Sequence, residues 1–207
     1  MIFTNLKINK IDIFNIIVFK NTGMMRLIKN LLLLLSVFYF CCNAFSQTAD
    51  NKKIIIIRHG EKADEGGNLS CRGLNRALGL SAVLYAKYKL PNHIFVPAIK
   101  NGKSTNQSRM YQTIVPFAVK YNLNIDTRYN VEEPKALADA IMKIPGYVLV
   151  VWEHNQIPNI AHALGIKEKN LKWKDSDFDS IWIITFKSGS SVLTVDKENL
   201  NPATTCK

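Results

Sequence analysis

Ile54-Ile55-Ile56-Ile57-Arg58-His59-Gly60-Glu61-Lys62 is the stretch on which the fold of this chain turns. Four consecutive β-branched apolar residues, with no polar residue alternating between them, describe a strand buried on both faces. Such a strand belongs to a sheet covered by helices on either side. The charged residues and the glycine that follow then fall at the carboxyl end of the strand. In open α/β sheets that is where ligands are bound.

Working outward, Gly60 to Ser70 reads as a polar loop, followed by a helix from about Arg72 to Tyr88, where Leu74, Ala77, Leu78, Ser81, Ala82 and Tyr85 recur at three- and four-residue steps. His93 to Ala98 is a second strand. A loop rich in Asn, Gly, Ser and Lys runs to Thr105, and a helix from about Gln107 to Tyr121 follows it. Asn124 to Thr127 is a short strand, and Pro134 to Lys143 a short helix with proline in its first turn. Tyr147 to Trp152 is another fully apolar strand, then Ile157 to Leu164 a helix ended by Gly165. Ile181 to Phe186 and Ser191 to Val195 flank Lys187-Ser188-Gly189-Ser190 as a terminal hairpin. Strands alternating with helices predict an α/β three-layer sandwich: a mostly parallel central sheet, helices on both faces and a C-terminal β-hairpin. No repeat, low-complexity tract or proline-rich linker divides it.

The chain has 207 residues and a formal charge of +11, from 27 Lys+Arg against 16 Asp+Glu. Residues 1–46 carry Lys7, Lys10, Lys20, Arg26 and Lys29 against Asp12 alone, so the remainder holds 22 basic and 15 acidic residues, a net of +7. That charge suits anionic partners without selecting nucleic acid, phosphate esters or a membrane surface. From Met24 the order is basic residues, an apolar run of 12 residues from Leu31 to Cys42, then Ala44-Phe45-Ser46 before Gln47. This is the order of a secretory signal. Because a helix needs about 20 apolar residues to span a bilayer, a cleaved signal is favoured over an uncleaved anchor. A lipid anchor on Cys41 or Cys42 is disfavoured by Phe40 and by the absence of a small residue before Cys42.

The expected organisation is therefore residues 1–23 as a leader from a start codon placed too early, 24–46 as signal, and 47–207 as one domain that is periplasmic or secreted. After cleavage no stable membrane anchor remains. Cys71 and Cys206 are left; they could pair in an oxidising compartment, but Cys206 lies in a C-terminal tail with no evident attachment, and both read as structural or incidental. His93, His162 and the lysines at 167, 169, 172 and 174 have no motif support and read as a strand residue, a helix residue and a solvated face.

Two of the four histidines occupy equivalent positions: His59 after the first strand, and His154, within Glu153-His154-Asn155, after the strand ending at Trp152. With these residues the sequence resembles the histidine phosphatase superfamily, the phosphoglycerate-mutase-like enzymes. Arg58-His59-Gly60 is similar to its signature after the first strand. Leu69-Ser70, Gly73 and Arg76-Ala77 resemble its next helix, Ser108-Arg109 with Gln112-Thr113 its second-arginine helix, and Glu153-His154 its second histidine. The matches run in order from Ile54 to Leu164, about two thirds of the chain beyond residue 46.

The resemblance implies roles that the chemistry of each residue suits. Arg58 and Arg109 can grip phosphoryl oxygens bidentately. His59, with one ring nitrogen unprotonated, is a competent nucleophile giving a phosphohistidine. His154 would donate to the transferring phosphoryl group. The resemblance implies neither metal nor other cofactor, and a small-molecule phosphate ester as partner. Many members carry a carboxylate downstream of the second arginine as general acid; Glu133 and Glu132 stand 24 and 23 residues after Arg109. Glu133 is favoured, then Glu132. Glu153 competes, although adjacent strand residues point to opposite faces. A member with no dedicated donor is the remaining alternative.

Two departures bear on substrate. Asn106-Gln107-Ser108 replaces the S-P-L-x-R that commonly carries the second arginine, so the loop before it would shape the pocket mouth in its own way. Asn155 replaces the Asp that donates a proton in the acid-phosphatase and phytase branch, which disfavours that branch. The expected function is an exported phosphomonoesterase. Its alternatives are a phosphoglycerate-type mutase and a phosphoester-binding protein without turnover; a nucleic-acid-binding module ranks last for want of a basic and aromatic recognition motif. Nothing in the sequence sets the oligomeric state.

Overall fold

The structure is a computed structural model that describes residues 23, 25–36, 52–99 and 107–206. The expected cleavage site before Gln47, most of the expected leader and the loop at 100–106 lie outside the described residues. The chain divides into two units, residues 1–47 and 48–207. In the first, residues 25–36 are helical; among the described residues no helix is long and apolar enough to cross a membrane.

Among the described residues the second unit carries one sheet of six strands in the order β3-β2-β4-β1-β5-β6. The elements run β1 (Lys53–Arg58), α1 (Cys71–Tyr88), β2 (His93–Phe95), α2 (Ser108–Tyr121), β3 (Ile125–Asp126), α3 (Pro134–Lys143), β4 (Tyr147–Trp152), α4 (Ile157–Ala163), β5 (Ser180–Lys187) and β6 (Ser190–Lys197). β3, β2, β4 and β1 are parallel, and β5 runs antiparallel to β1 and pairs with β6 as a hairpin. This is the expected mostly parallel sheet with a C-terminal hairpin.

The isoleucine run explains why the sheet needs two covers. Ile54 to Ile57 are all fully buried, and alternation sends their side chains to opposite faces. Ile54 and Ile56 pack with Val148, Val150 and Trp152 of β4 against Leu137 and Ile141 of α3 and Ile157 and Ile160 of α4. Ile55 and Ile57 pack with Leu149 and Val151 against Leu80 and Leu84 of α1 and Ile114 and Phe117 of α2. Each buried isoleucine contributes about 1.5–3 kcal/mol of transfer free energy, so this strand anchors both cores at once.

Two expectations are corrected. β2 pairs only from His93 to Phe95. Pro97 has no N–H to continue a ladder, and Ala98 donates instead to the Tyr129 carbonyl at 2.7 Å. The C-terminal tail is attached: Cys206 is disulfide-bonded to Cys71 at the start of α1. Asn75 donates to the carbonyls of Ala203 and Thr205 at 2.9 and 3.0 Å, and Leu200 packs on the α1–α2 core.

The register places the chemistry. β1 and β4 are neighbours, with Arg58 opposite Trp152, and the His59 N–H donates to the Trp152 carbonyl at 3.3 Å. Both strands therefore stop at the same level, and His59 and Glu153-His154 emerge side by side.

Candidate active site

Beyond Arg58 the chain enters a loop that two helices hold down. Within it Lys62 bridges Leu69, and the Ser70 N–H donates to the Glu61 carbonyl at 2.9 Å. Ser70 then caps α1, its Oγ accepting from the Gly73 N–H at 3.1 Å. The amino-terminal part of α2 grips the far side. Gln112 accepts from the Leu69 N–H at 3.1 Å and donates to Asn68 at 2.7 Å, while Ser108 and Arg109 donate to the Gly67 carbonyl at 3.3 and 3.2 Å. Arg76 of α1, itself buried, binds both oxygens of Glu61 at 2.8 and 2.9 Å and Glu198 at 2.6 Å. Burial works to raise the Glu61 pKa, but Arg76 prevails and holds it below the usual carboxylate range.

The ends of β1 and β4, this loop and α2 enclose a cavity of about 650 Å³, within the range of small-molecule sites. Its lining includes Arg58, His59, Arg109 and His154, together with Glu61, Lys62, Glu153, Asn155, Asp175 and Phe178. The four residues picked from the sequence for phosphoryl chemistry thus share one space.

His59 is 3% exposed, and its Nδ1 lies 2.7 Å from the Gly60 carbonyl. A carbonyl can only accept, so Nδ1 carries the proton and Nε2 is left with the lone pair. Burial, then the charges of Arg109, Arg58 and His154, lower the His59 pKa to about 4, against the opposing pull of the Gly60 bond. At neutral pH the ring is uncharged.

Arg58 is 7% exposed. Its Nη1 donates to the carbonyls of Asp175, Asp177 and Lys174 at 2.5, 3.2 and 3.4 Å, and its guanidinium stacks on Phe178, 3.8 Å from the ring centroid. Burial draws its pKa below the ordinary range, opposed by Glu153, Asp175, Asp177 and Glu61. Among the described residues the Nε atoms of Arg58 and Arg109, both buried, have no hydrogen-bond partner. Two guanidinium groups lining one cavity are a physical reason for it to take an anion.

His154 sits between two carboxylates. Its Nε2 lies 3.1 Å from Asp175 Oδ1, and its Nδ1 lies 2.9 Å from Glu153 Oε1, in an orientation that makes no hydrogen bond. The strand ends at Trp152, and Glu153 opens a turn in which its carbonyl accepts from the Gln156 N–H at 3.0 Å. The rule that neighbours on a strand face opposite ways therefore does not apply to Glu153 and His154, and both line the cavity.

The favoured acid does not. Glu133 precedes α3, where its Oε2 accepts from the Asn130 N–H and side-chain amide at 2.7 and 3.0 Å. Neither Glu133 nor Glu132 lines the cavity; of the three glutamates considered, Glu153 does.

Asp175, Phe178 and most of the carbonyls on Arg58 follow directly on the lysines that the sequence marks as a solvated face. The lysines at 167, 169, 172 and 174 are indeed exposed. The segment is nonetheless tied to the core by Trp173, which is buried and donates to the Asp177 carbonyl at 2.8 Å. A tryptophan among lysines was the available signal. His93, bonded to Asp126 at 3.0 Å, and His162, 2.9 Å from the Ile166 carbonyl, stay outside the site.

No protein-family model and no curated protein sequence matches the chain. Solved structures do. The chain is similar to the protein histidine phosphatase SixA complexed with tungstate, at 15% identity and a TM-score of 0.51, over 70% of this chain and 97% of that one. It is similar to a protein assigned as phosphohistidine phosphatase SixA from Agrobacterium tumefaciens, at 16% identity and a TM-score of 0.51, over 73% and 99%. It is also similar to one assigned as an α-ribazole-5′-P phosphatase from Escherichia coli, at 11% identity and a TM-score of 0.53, over 70% and 96%. At these identities the likeness is one of fold, and the fold is that of the histidine phosphatases.

Proposed function

We propose that this chain, which has the histidine phosphatase fold, is an exported, metal-independent phosphomonoesterase acting on small phosphate esters through a phosphohistidine on His59. The observation that carries the reading is the convergence of Arg58, His59, Arg109 and His154 on one cavity, with His59 neutral and its Nδ1 proton committed to Gly60.

His59 Nε2 attacks phosphorus while the ester P–O bond breaks, and the leaving oxygen takes a proton from the carboxyl group of Glu153, which lines the cavity. Water then attacks the phosphohistidine, losing its proton to Glu153, and inorganic phosphate leaves with His59 regenerated. Arg58, Arg109 and His154 offset the negative charge spread over the phosphoryl oxygens, which is most of what such transfer requires. Tungstate, held by one of the solved structures of this fold, is a tetrahedral oxyanion of the same shape class as phosphate.

Export is supported by the signal-like order of residues 24–46 and by the Cys71–Cys206 disulfide, which belongs to an oxidising compartment. The test is hydrolysis of a panel of phosphomonoesters by protein beginning at Gln47, with EDTA present. Release of phosphate at an undiminished rate supports the reading; tight phosphate binding without release from any ester contradicts it.

A further inference from the structure

We infer that Thr113 is a positioning residue for the nucleophile, holding His59 in the tautomer that leaves Nε2 free; this rests on the phosphatase reading for its consequence but not for its geometry. Thr113 lies on α2, one turn after Arg109, and is fully buried. Its Oγ1 makes two hydrogen bonds. It lies 2.7 Å from the Arg109 carbonyl and 2.9 Å from the Gly60 amide nitrogen.

The polarity of this pair is forced. The Arg109 carbonyl can only accept, so the single hydroxyl proton goes there, and Oγ1 is left to accept from the Gly60 N–H. Thr113 and Gly60 are both buried. Gly60 is thereby held at its N–H by Thr113, while its carbonyl accepts the His59 Nδ1 proton at 2.7 Å. Gly60 also packs closely on α1: a Cβ on it would stand 2.9 Å from the Gly73 carbonyl oxygen.

One hydroxyl therefore links the helix that carries Arg109 to the residue that orients His59. A threonine bonded only to the carbonyl four residues back would be an ordinary helix back-bond. The second bond, to the turn under the nucleophile, is what makes it a positioning group. Without it the Gly60 N–H is left buried and unpaired, and the turn relaxes to find another partner.

The experiment uses the chain from Gln47 with 15N-labelled histidine, the His59 signals being assigned by their absence in His59→Ala. Wild type and Thr113→Ser, which keeps the hydroxyl, are expected to show the Nδ1-protonated tautomer at neutral pH. Thr113→Val, which keeps the shape and removes the hydroxyl, is expected to show a mixture of tautomers, with kcat lowered at least tenfold and KM within about twofold. Should the valine variant not fold, Thr113→Ala reads the same quantities. A Val or Ala variant with the wild-type tautomer and wild-type kcat overturns the inference. If the wild type hydrolyses no phosphomonoester, the phosphatase reading fails alone, and the tautomer shift still decides the role of Thr113.

Discussion

Gly73, in the first turn of α1, faces the backbone of Glu61 so closely that a Cβ on it would overlap the Glu61 carbonyl oxygen. Helix and signature loop meet backbone to backbone, and a side chain at 73 would push them apart. Gly73→Ala is expected to cost about 1–3 kcal/mol of stability, as overpacking does. It should also lower phosphatase activity more than a substitution at exposed Leu78 on the same helix, because the displaced residues adjoin His59. Urea unfolding and steady-state kinetics on the two variants check this.

Glu153 lines the cavity and Glu133 does not. Glu153→Gln is expected to slow alkyl phosphates by about 10²-fold or more, the scale of general acid catalysis, and aryl phosphates far less, since a phenolate needs little protonation to leave. Glu133→Gln, altering a turn at Asn130 away from the cavity, is expected to leave both rates unchanged and cost at most about 1 kcal/mol. Reversal of the two results would return the acid role to Glu133.

The pH dependence has a definite sign. His59 is held near 4 in the folded protein, against 6.5 for the free residue, by burial and by Arg109, Arg58 and His154, with Glu153 and Asp175 of the same cavity facing His154. Its folded pKa is depressed, so the unfolded chain takes up the proton first as pH falls. The stability gained from keeping His59 neutral is complete above about pH 6.5 and is lost between there and pH 4, an amount on the order of 3 kcal/mol. Urea midpoints of wild type and His59→Gln across that window are expected to converge toward the acid end. Parallel profiles would mean that His59 is not held neutral by the fold.

Much of this architecture is legible in the sequence. The limits of α3 and β4 follow from Pro134 at the helix start and from six unbroken apolar residues, signals that depend only on neighbours along the chain. What is not legible depends on distant partners. The Cys71–Cys206 bond spans 135 residues and reflects where the tail folds back, which no local pattern encodes. The loop over Arg58 reads as solvated because its lysines are, while its contribution to the site is made by backbone carbonyls that carry no residue-type signature. Glu153 stands one residue past the end of its strand at Trp152, where strand alternation no longer sets which way a side chain faces.

The proposed export makes two linked predictions. Mass spectrometry of the exported protein is expected to find Gln47 at the amino terminus and Cys71 joined to Cys206. Retention of Leu31 to Cys42 would contradict the first. Replacing both cysteines by serine is expected to cost about 2–5 kcal/mol, mostly by freeing the unfolded chain, without abolishing turnover at temperatures where the variant is folded.

The central claim is that His59 itself carries the phosphoryl group, and the direct measurement is a trap of the intermediate. Wild-type protein mixed with a 32P-labelled phosphomonoester and quenched in base during turnover is expected to retain label that is stable to alkali, labile to acid and located on the peptide containing His59. His59→Ala is expected to show no label and no turnover while still binding inorganic phosphate through Arg58 and Arg109. Hydrolysis by His59→Ala at the wild-type rate, or label residing on another residue, would contradict the account at its centre.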